Sequence, residues 1–366
     1  MPLVLRRLIQ PPRLRSEDGL EPGRRVTWME LFFDLIFVAA VAQVGIHLRD
    51  DYSPAGLLRF SLLFVMIWWT WLGHTNFSTR FDTDDLIQRT LTALQIFLVA
   101  VMAINATGPL DGRDSAGFVA AYAAMRMVLA LQYFRVRGVV RSRTLATRYA
   151  STSVFSALLW LASSFVAAPE RFWLWALALT IDLGTPLVST RHLVEVPHDA
   201  AHLPERYGLF SIILLGESMV AVMTGMSHQE YWSPAAASSA VLGIALVFTI
   251  WWSYFDGVDA VAERFVQSSR DAVRFHVWSY AHLPLYLGIA VAGVGVEHII
   301  TTVTREPLHR AEVLIFCSAL ALVALALTVI GRVSSAAVRR GDLATCGDSE
   351  ATAERATGST SSLHHA

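Results

Sequence analysis

The chain contains no lysine: all 29 of its basic residues are arginines. A cofactor held as a Schiff base on a lysine amine, such as retinal or pyridoxal phosphate, is thereby excluded. Cysteine is nearly absent, with Cys317 in an apolar run and Cys346 in a polar C-terminal stretch, so neither a disulfide framework nor a cysteine metal cluster is expected. Charge is scarce, at 16% of residues, and balances to a net −1. That balance predicts no nucleic-acid partner. No Walker-type loop, dinucleotide fingerprint or Gly-x-Ser-x-Gly elbow stands in a plausible context, so soluble-style catalysis has no support. The arginine-rich N-terminus lacks a small-residue cleavage site, and no removable signal peptide is expected.

Apolar sequence fills the space that these absences leave. With 54% hydrophobic residues and a mean hydropathy of +0.47, the chain lies outside the usual soluble range. A bilayer core takes about 20 mostly apolar helical residues. Runs of that length occur near 28–48, 56–76, 87–106, 116–136, 149–168, 171–190, 206–226, 236–256, 276–298 and 311–331. The expected fold is therefore all-α, a polytopic transmembrane helix bundle of about ten spans whose partner is the lipid bilayer. Residues 1–27 form an arginine-rich segment before it, and 332–366, rich in Ser, Thr, Ala and charge, read as a disordered tail.

Cytoplasmic loops are enriched in basic residues. Arg6, Arg7, Arg13, Arg15, Arg24 and Arg25 precede the first span, Arg135, Arg137, Arg141, Arg143 and Arg148 lie between the fourth and fifth, and Arg264, Arg270 and Arg274 between the eighth and ninth. Arg332, Arg339, Arg340 and Arg355 follow the tenth. Alternating spans put all of these on one side, so both termini are expected in the cytoplasm.

A repeat is also suggested. Asp34 in LFFDLIFVAAV and Glu217 in ILLGESMVAVM are separated by 183 residues, as are Ile67-Trp68-Trp69 and Ile250-Trp251-Trp252. Ser53-Pro54 recurs as Ser233-Pro234, and Arg80-Phe81 as Arg264-Phe265. Spans one to three thus resemble spans seven to nine, and an interval of six helices makes the repeats parallel. Chance likeness between apolar helices is the competing explanation.

Charge inside a membrane helix costs roughly 2.5–3.5 kcal/mol on insertion scales and normally lines a protein interior or a wet cavity. Arg126, Asp182 and Glu217 fall near the middles of their spans, with Asp34 nearer one end. If the four converge, they make a site for a proton, a metal cation or an amine-bearing solute, or else a buried salt bridge that holds helices together. Pro186 removes the helical partner of the Asp182 carbonyl, and Pro284 that of Tyr280. The stretch Asp182-Leu183-Gly184-Thr185-Pro186 is therefore a candidate helix break and hinge, with Pro284 a second candidate. His47, His74, His282 and His298 lie in or near spans, but haem needs two imidazoles facing each other, and neither a metal nor another cofactor is expected. His198 and His202 have metal-pair spacing in what reads as an interfacial loop. In the Asp82-Thr83-Asp84-Asp85 loop the acids either attract a cation or cap the next helix. The groups Trp68-Trp69-Thr70-Trp71 and Trp251-Trp252-Ser253-Tyr254 read as interfacial belts.

The chain resembles the bacterial low temperature requirement A family in Glu30-Leu31-Phe32-Phe33-Asp34-Leu35, Asp82-Thr83-Asp84-Asp85, Met125-Arg126, Glu205-Arg206-Tyr207-Gly208-Leu209-Phe210 and Leu215-Gly216-Glu217-Ser218. The likeness continues in Trp251-Trp252-Ser253-Tyr254-Phe255-Asp256, His282-Leu283-Pro284 and Gly295-Val296-Glu297. The resemblance implies a multi-pass protein of the bacterial cytoplasmic membrane and adds Glu30, Ser218, Asp82, Asp256, His282 and Glu297 as secondary site candidates. It names a growth phenotype in the cold, not a reaction. The expected activity is that of a transporter or channel-like carrier of a small cation or proton-coupled solute, centred on Asp34, Arg126, Asp182 and Glu217. A membrane-embedded enzyme or redox/haem protein, and a non-catalytic scaffold or sensor, are the alternatives.

Overall fold

Local sequence sets where the helices begin. Thr27 accepts the Glu30 backbone N–H at 3.3 Å, while the Glu30 carboxylate accepts the Thr27 backbone N–H at 2.9 Å. This reciprocal capping box satisfies two orphan donors at once. Ser53 caps the next helix through the Gly56 N–H at 3.2 Å, with Pro54 at the first helical position, where its missing N–H costs nothing. Asp85 caps the third through the Gln88 N–H at 2.9 Å. Of the two readings of that loop, capping therefore holds for Asp85; Thr83, Asp84 and the Asp82 side chain lie outside the described residues.

The computed structural model describes residues 12–14, 26–82, 85–106, 115–190, 192, 196, 202–258, 269–303 and 307–334. Among these are ten long helices: α1 Trp28–Asp50, α2 Pro54–Ser78, α3 Leu86–Ile104, α4 Ala116–Val136, α5 Arg143–Ser163, α6 Arg171–Val188, α7 His202–Ser227, α8 Pro234–Val258, α9 Ser269–Thr302 and α10 Arg310–Ser334. All but α5 and α6 are long and apolar enough to cross a membrane. A two-residue antiparallel bridge, Arg13–Leu14 with Phe81–Asp82, ties the N-terminal segment to the end of α2. It buries Leu14 against Phe77, Phe81, Tyr133 and Leu145. The tail beyond Ser334 lies outside the described residues.

Helices α1, α2, α7 and α9 form the centre: α1 packs on α2, α3, α7 and α9, and α2 on α4, α7 and α9. Helices α4, α5 and α6 pack successively at one flank, and α8 lies against α7 and α9 at the other. Burial overturns one of the expected interfacial belts. Trp68, Trp69 and Trp71 are core residues, whereas Trp251 and Trp252 are exposed. Helix α2 is enclosed by neighbours on several sides and α8 is peripheral, so like sequences meet unlike surroundings.

Three further expectations change. Helix α5 runs from Arg143 to Ser163, several residues earlier than the hydropathy run at 149–168, because its polar first turns still bury Leu145, Ala146 and Tyr149 against Tyr133. Pro186 and Pro284 sit inside helices that continue past them, so the break expected at Asp182 does not occur, and α9 carries Pro284 without interruption. Pro186 falls in the last turn of α6, and the Tyr280 hydroxyl of α9 donates to the Leu183 carbonyl beside it at 2.7 Å. In the repeat, α2 and α8 start alike, with Ser233 capping Ala236 at 3.0 Å as Ser53 caps Gly56. The Ile-Trp-Trp run then comes 13 residues after Pro54 but 16 after Pro234. Both helices are continuous, so no loop absorbs the difference. Three residues turn a helix by roughly 300°, a net rotation of about 60°, and the first tryptophan pair is buried whereas the second is exposed.

Candidate functional site

The four charged residues expected to converge separate into three places, and the reason is helical register. On α1, Glu30 and Asp34 stand one turn apart on one face; on α7, His202 and Arg206 do the same. Glu30 meets His202 at 3.2 Å and Asp34 meets Arg206, both pairs being 172 residues apart. A constant offset over two pairs means α1 and α7 run side by side in the same direction. Extending it places Gly45, not Asp34, level with Glu217. Eleven residues of helix separate the two levels on each side, or about 16 Å.

At the first level, Arg206 holds Asp34 with two parallel contacts, Nε to Oδ2 at 2.8 Å and Nη2 to Oδ1 at 2.6 Å. The indole N–H of Trp71 donates to Oδ1 at 2.7 Å. Arg206 also reaches Ser78 at 3.3 Å, Thr75 at 3.4 Å and the Glu30 carboxylate at 3.5 Å. Both Arg206 and Asp34 are fully buried. Paired, bidentate and surrounded by donors, this is the arrangement in which a buried ion pair recovers its desolvation cost. It fastens α1, α2 and α7.

The second place lies among α4, α5 and α6. Arg126 donates to Asp182 at 2.6 Å and to Ser153 at 3.3 Å. Ser156 and Tyr122 donate to the other Asp182 oxygen at 2.8 and 3.4 Å. Arg126 and Asp182 are buried, so this pair also reads as a lock, leaving neither charge for a ligand. Gly184 is partly buried, and a Cβ added there would meet open space.

Glu217 lines a cavity. A groove with about 380 Å³ of open space runs between α1, α7 and α9, lined by Val41, Ala42, Gly45 and Arg49 of α1, Leu214, Glu217, Ser218 and Ala221 of α7, Ala290, Gly293, Val294 and Glu297 of α9, and Phe60 of α2. Its small residues keep the helices from filling the space with side chains. Two secondary candidates, Ser218 and Glu297, thus join Glu217. Arg49 Nη1 lies 2.8 Å from Glu297 Oε1, an ionic contact without hydrogen-bond alignment. Glu297 is 1% exposed, and its Oε2 has no hydrogen-bond partner among the described residues. A buried carboxylate oxygen left in that state is costly.

The other candidates are engaged elsewhere. His282 has both ring nitrogens occupied, Nδ1 by the Trp278 carbonyl at 2.8 Å and Nε2 by the Tyr254 hydroxyl at 3.1 Å. Asp256 is exposed near the end of α8, and Asp82 is fixed by its backbone bridge to Arg13. His198 lies outside the described residues, while His202 serves Glu30.

Sequence reading missed the roles of Arg206, Arg49 and Trp71. The signal for Arg206 was present: two i, i+4 pairs of complementary charge, Glu30/Asp34 and His202/Arg206, each near the start of an apolar helix. Setting the seventh span to begin at residue 206 moved Arg206 to its rim and hid the match. Trp71 was absorbed into a supposed belt, and nothing local in the sequence marks Arg49 as the partner of Glu297.

Residues 25–348 match the family described as bacterial low temperature requirement A protein. A protein of Rhizobium meliloti (strain 1021), described as uncharacterized, is 31% identical over 288 residues, covering 74% of this chain and 68% of the relative. No solved structure matches. The chain, an integral membrane helical protein by its apolar helices, belongs to the bacterial low temperature requirement A family.

Proposed function

We propose that the protein is a membrane carrier for a small cation or proton-coupled solute, and that its site is the groove between α1, α7 and α9. The observation that carries this reading is the state of Glu297: buried, lining an open groove, with one carboxylate oxygen unpartnered. Glu217 and Ser218 line the same space one helix away. Asp34 and Asp182 are assigned the opposite role, as halves of ion pairs: Asp34 holds α1 to α7 at the groove's walls, and Asp182 holds the flanking helices α4, α5 and α6 together.

All ten helices cross the bilayer in this reading. The Arg126 contacts to Ser153 and Asp182 join the middles of α4, α5 and α6, so the two less apolar helices run beside a spanning one. At 21 and 18 residues they measure about 32 and 27 Å, close to the roughly 30 Å hydrocarbon core. Counting α5 and α6 or omitting both leaves an even number of crossings, and the arginine distribution supports a bacterial cytoplasmic location for both ends of the helical domain. The groove then extends from the middle of the bilayer to the external face.

The test is cation and proton flux in proteoliposomes, comparing the unaltered protein with Glu217→Gln and Glu297→Gln. Flux that falls at least tenfold in both variants, with Asp256→Asn unchanged, is the expected result. Flux indifferent to both glutamates contradicts the proposal.

A further inference from the structure

The groove's chemistry narrows the class of cation, and this step rests on the groove being the carrier's substrate site. Its charged residues are Arg49, Glu217 and Glu297, a formal −1 that a single positive charge neutralises. A bare divalent ion would leave this lining net positive, and with two carboxylates and the Ser218 hydroxyl supplying at most five oxygens, one already facing Arg49, water would have to complete its coordination. Among the described residues no group of three or more His, Cys, Asp or Glu is placed to hold a metal. Leu214 and Val294 give the groove apolar walls beside its charged residues, a surface that a bare ion would leave uncovered.

We infer that the groove takes a primary organic ammonium, a monovalent R–NH₃⁺ with a hydrocarbon body. Three N–H donors match three acceptors in the lining: the unpartnered Oε2 of Glu297, a Glu217 carboxylate oxygen, and the Ser218 Oγ, whose own hydrogen goes to the Leu214 carbonyl at 3.2 Å. The hydrocarbon body lies against Leu214 and Val294. Arg49 stays on the far carboxylate oxygen of Glu297 and sets the valence limit, because a second positive charge would face a guanidinium with no acid to spare.

The probe is n-butylammonium chloride, titrated calorimetrically into the purified full-length protein beside tetramethylammonium, sodium and potassium chlorides. Butylammonium is expected to bind at least tenfold more tightly than tetramethylammonium, which has the charge but no N–H, and Glu217→Gln is expected to weaken it at least tenfold. Glu297→Gln also strips Arg49 of its partner and so disturbs the fold, which makes Ser218→Ala the second variant. That change leaves every charge in place and is expected to weaken butylammonium several-fold while leaving tetramethylammonium unaffected. Saturable sodium or potassium binding without butylammonium binding overturns the ammonium assignment and leaves the carrier reading standing. No binding by any of the four salts, with Glu217-independent flux in proteoliposomes, overturns both.

Discussion

Replacing Arg206 with glutamine exposes what the first charge layer contributes. In the intact protein the guanidinium holds Asp34 with contacts of 2.8 and 2.6 Å, and both groups are fully buried. The variant leaves Asp34 with the Trp71 indole as its charge-stabilising donor and Glu30 with one cation fewer. Removing one partner of a buried ion pair costs about 3–5 kcal/mol, and the upper half of that range applies here because two carboxylates lose the same cation. Asp34→Asn costs less, since Arg206 still has Glu30 at 3.5 Å. Combining the changes removes both charges, so the double variant should be more stable than the sum of the singles by about 2 kcal/mol or more. Neutral interhelical hydrogen bonds in membranes average only about 0.6 kcal/mol, and the cycle therefore separates an ion-pair lock from an ordinary polar contact. The assay is reversible denaturant unfolding in detergent micelles. Two singles costing under about 1 kcal/mol each, adding without coupling, would refute the three-helix lock.

Other perturbations probe separate parts of the bundle. Asp182→Asn should destabilise by about 3–5 kcal/mol through stranded Arg126, read by thermal melting, while flux per folded molecule stays unchanged. Ser53→Ala and Ser233→Ala should each cost about 1 kcal/mol, measured by unfolding. Gly288→Ala would set a methyl 2.7 Å from Val323 Cγ2 and 2.9 Å from the Ala319 carbonyl oxygen, forcing α9 from α10 at a cost of about 1–3 kcal/mol. Gly45→Ala, whose methyl meets Val294 at an ordinary 3.7 Å, should melt like the unaltered protein.

The spans were legible because hydropathy reports whether a stretch can leave water, and ten runs became ten helices. Their ends were less so. The polar first turns of α5 and α9 fold on Tyr133 and on neighbouring helices, which a hydropathy run does not register. The acids were found at sequence level because ionisable residues stand out in apolar stretches, yet their partners depend on which helices lie side by side and in what register. An offset of 183 matched Asp34 to Glu217 by sequence likeness; packing uses 172 and gives Asp34 to Arg206. Glu297 was visible in the sequence only as part of the family motif Gly295-Val296-Glu297, because its burial beside α1 and α7 depends on packing.

A water-filled groove among α1, α7 and α9 is the feature on which transport stands or falls. It can be measured with a single thiol, because replacing Cys317 and Cys346 by serine leaves the chain free of cysteine. Ala221→Cys would place that thiol in the groove, and Met223→Cys two residues on would place it on the exposed apolar face of α7. A charged, membrane-impermeant methanethiosulfonate reagent applied outside intact cells is expected to label Ala221→Cys rapidly and Met223→Cys hardly at all, since thiolate forms in water and not in lipid. Equal lack of reaction at both positions would mean that the groove is filled by lipid and contradict a carrier site there.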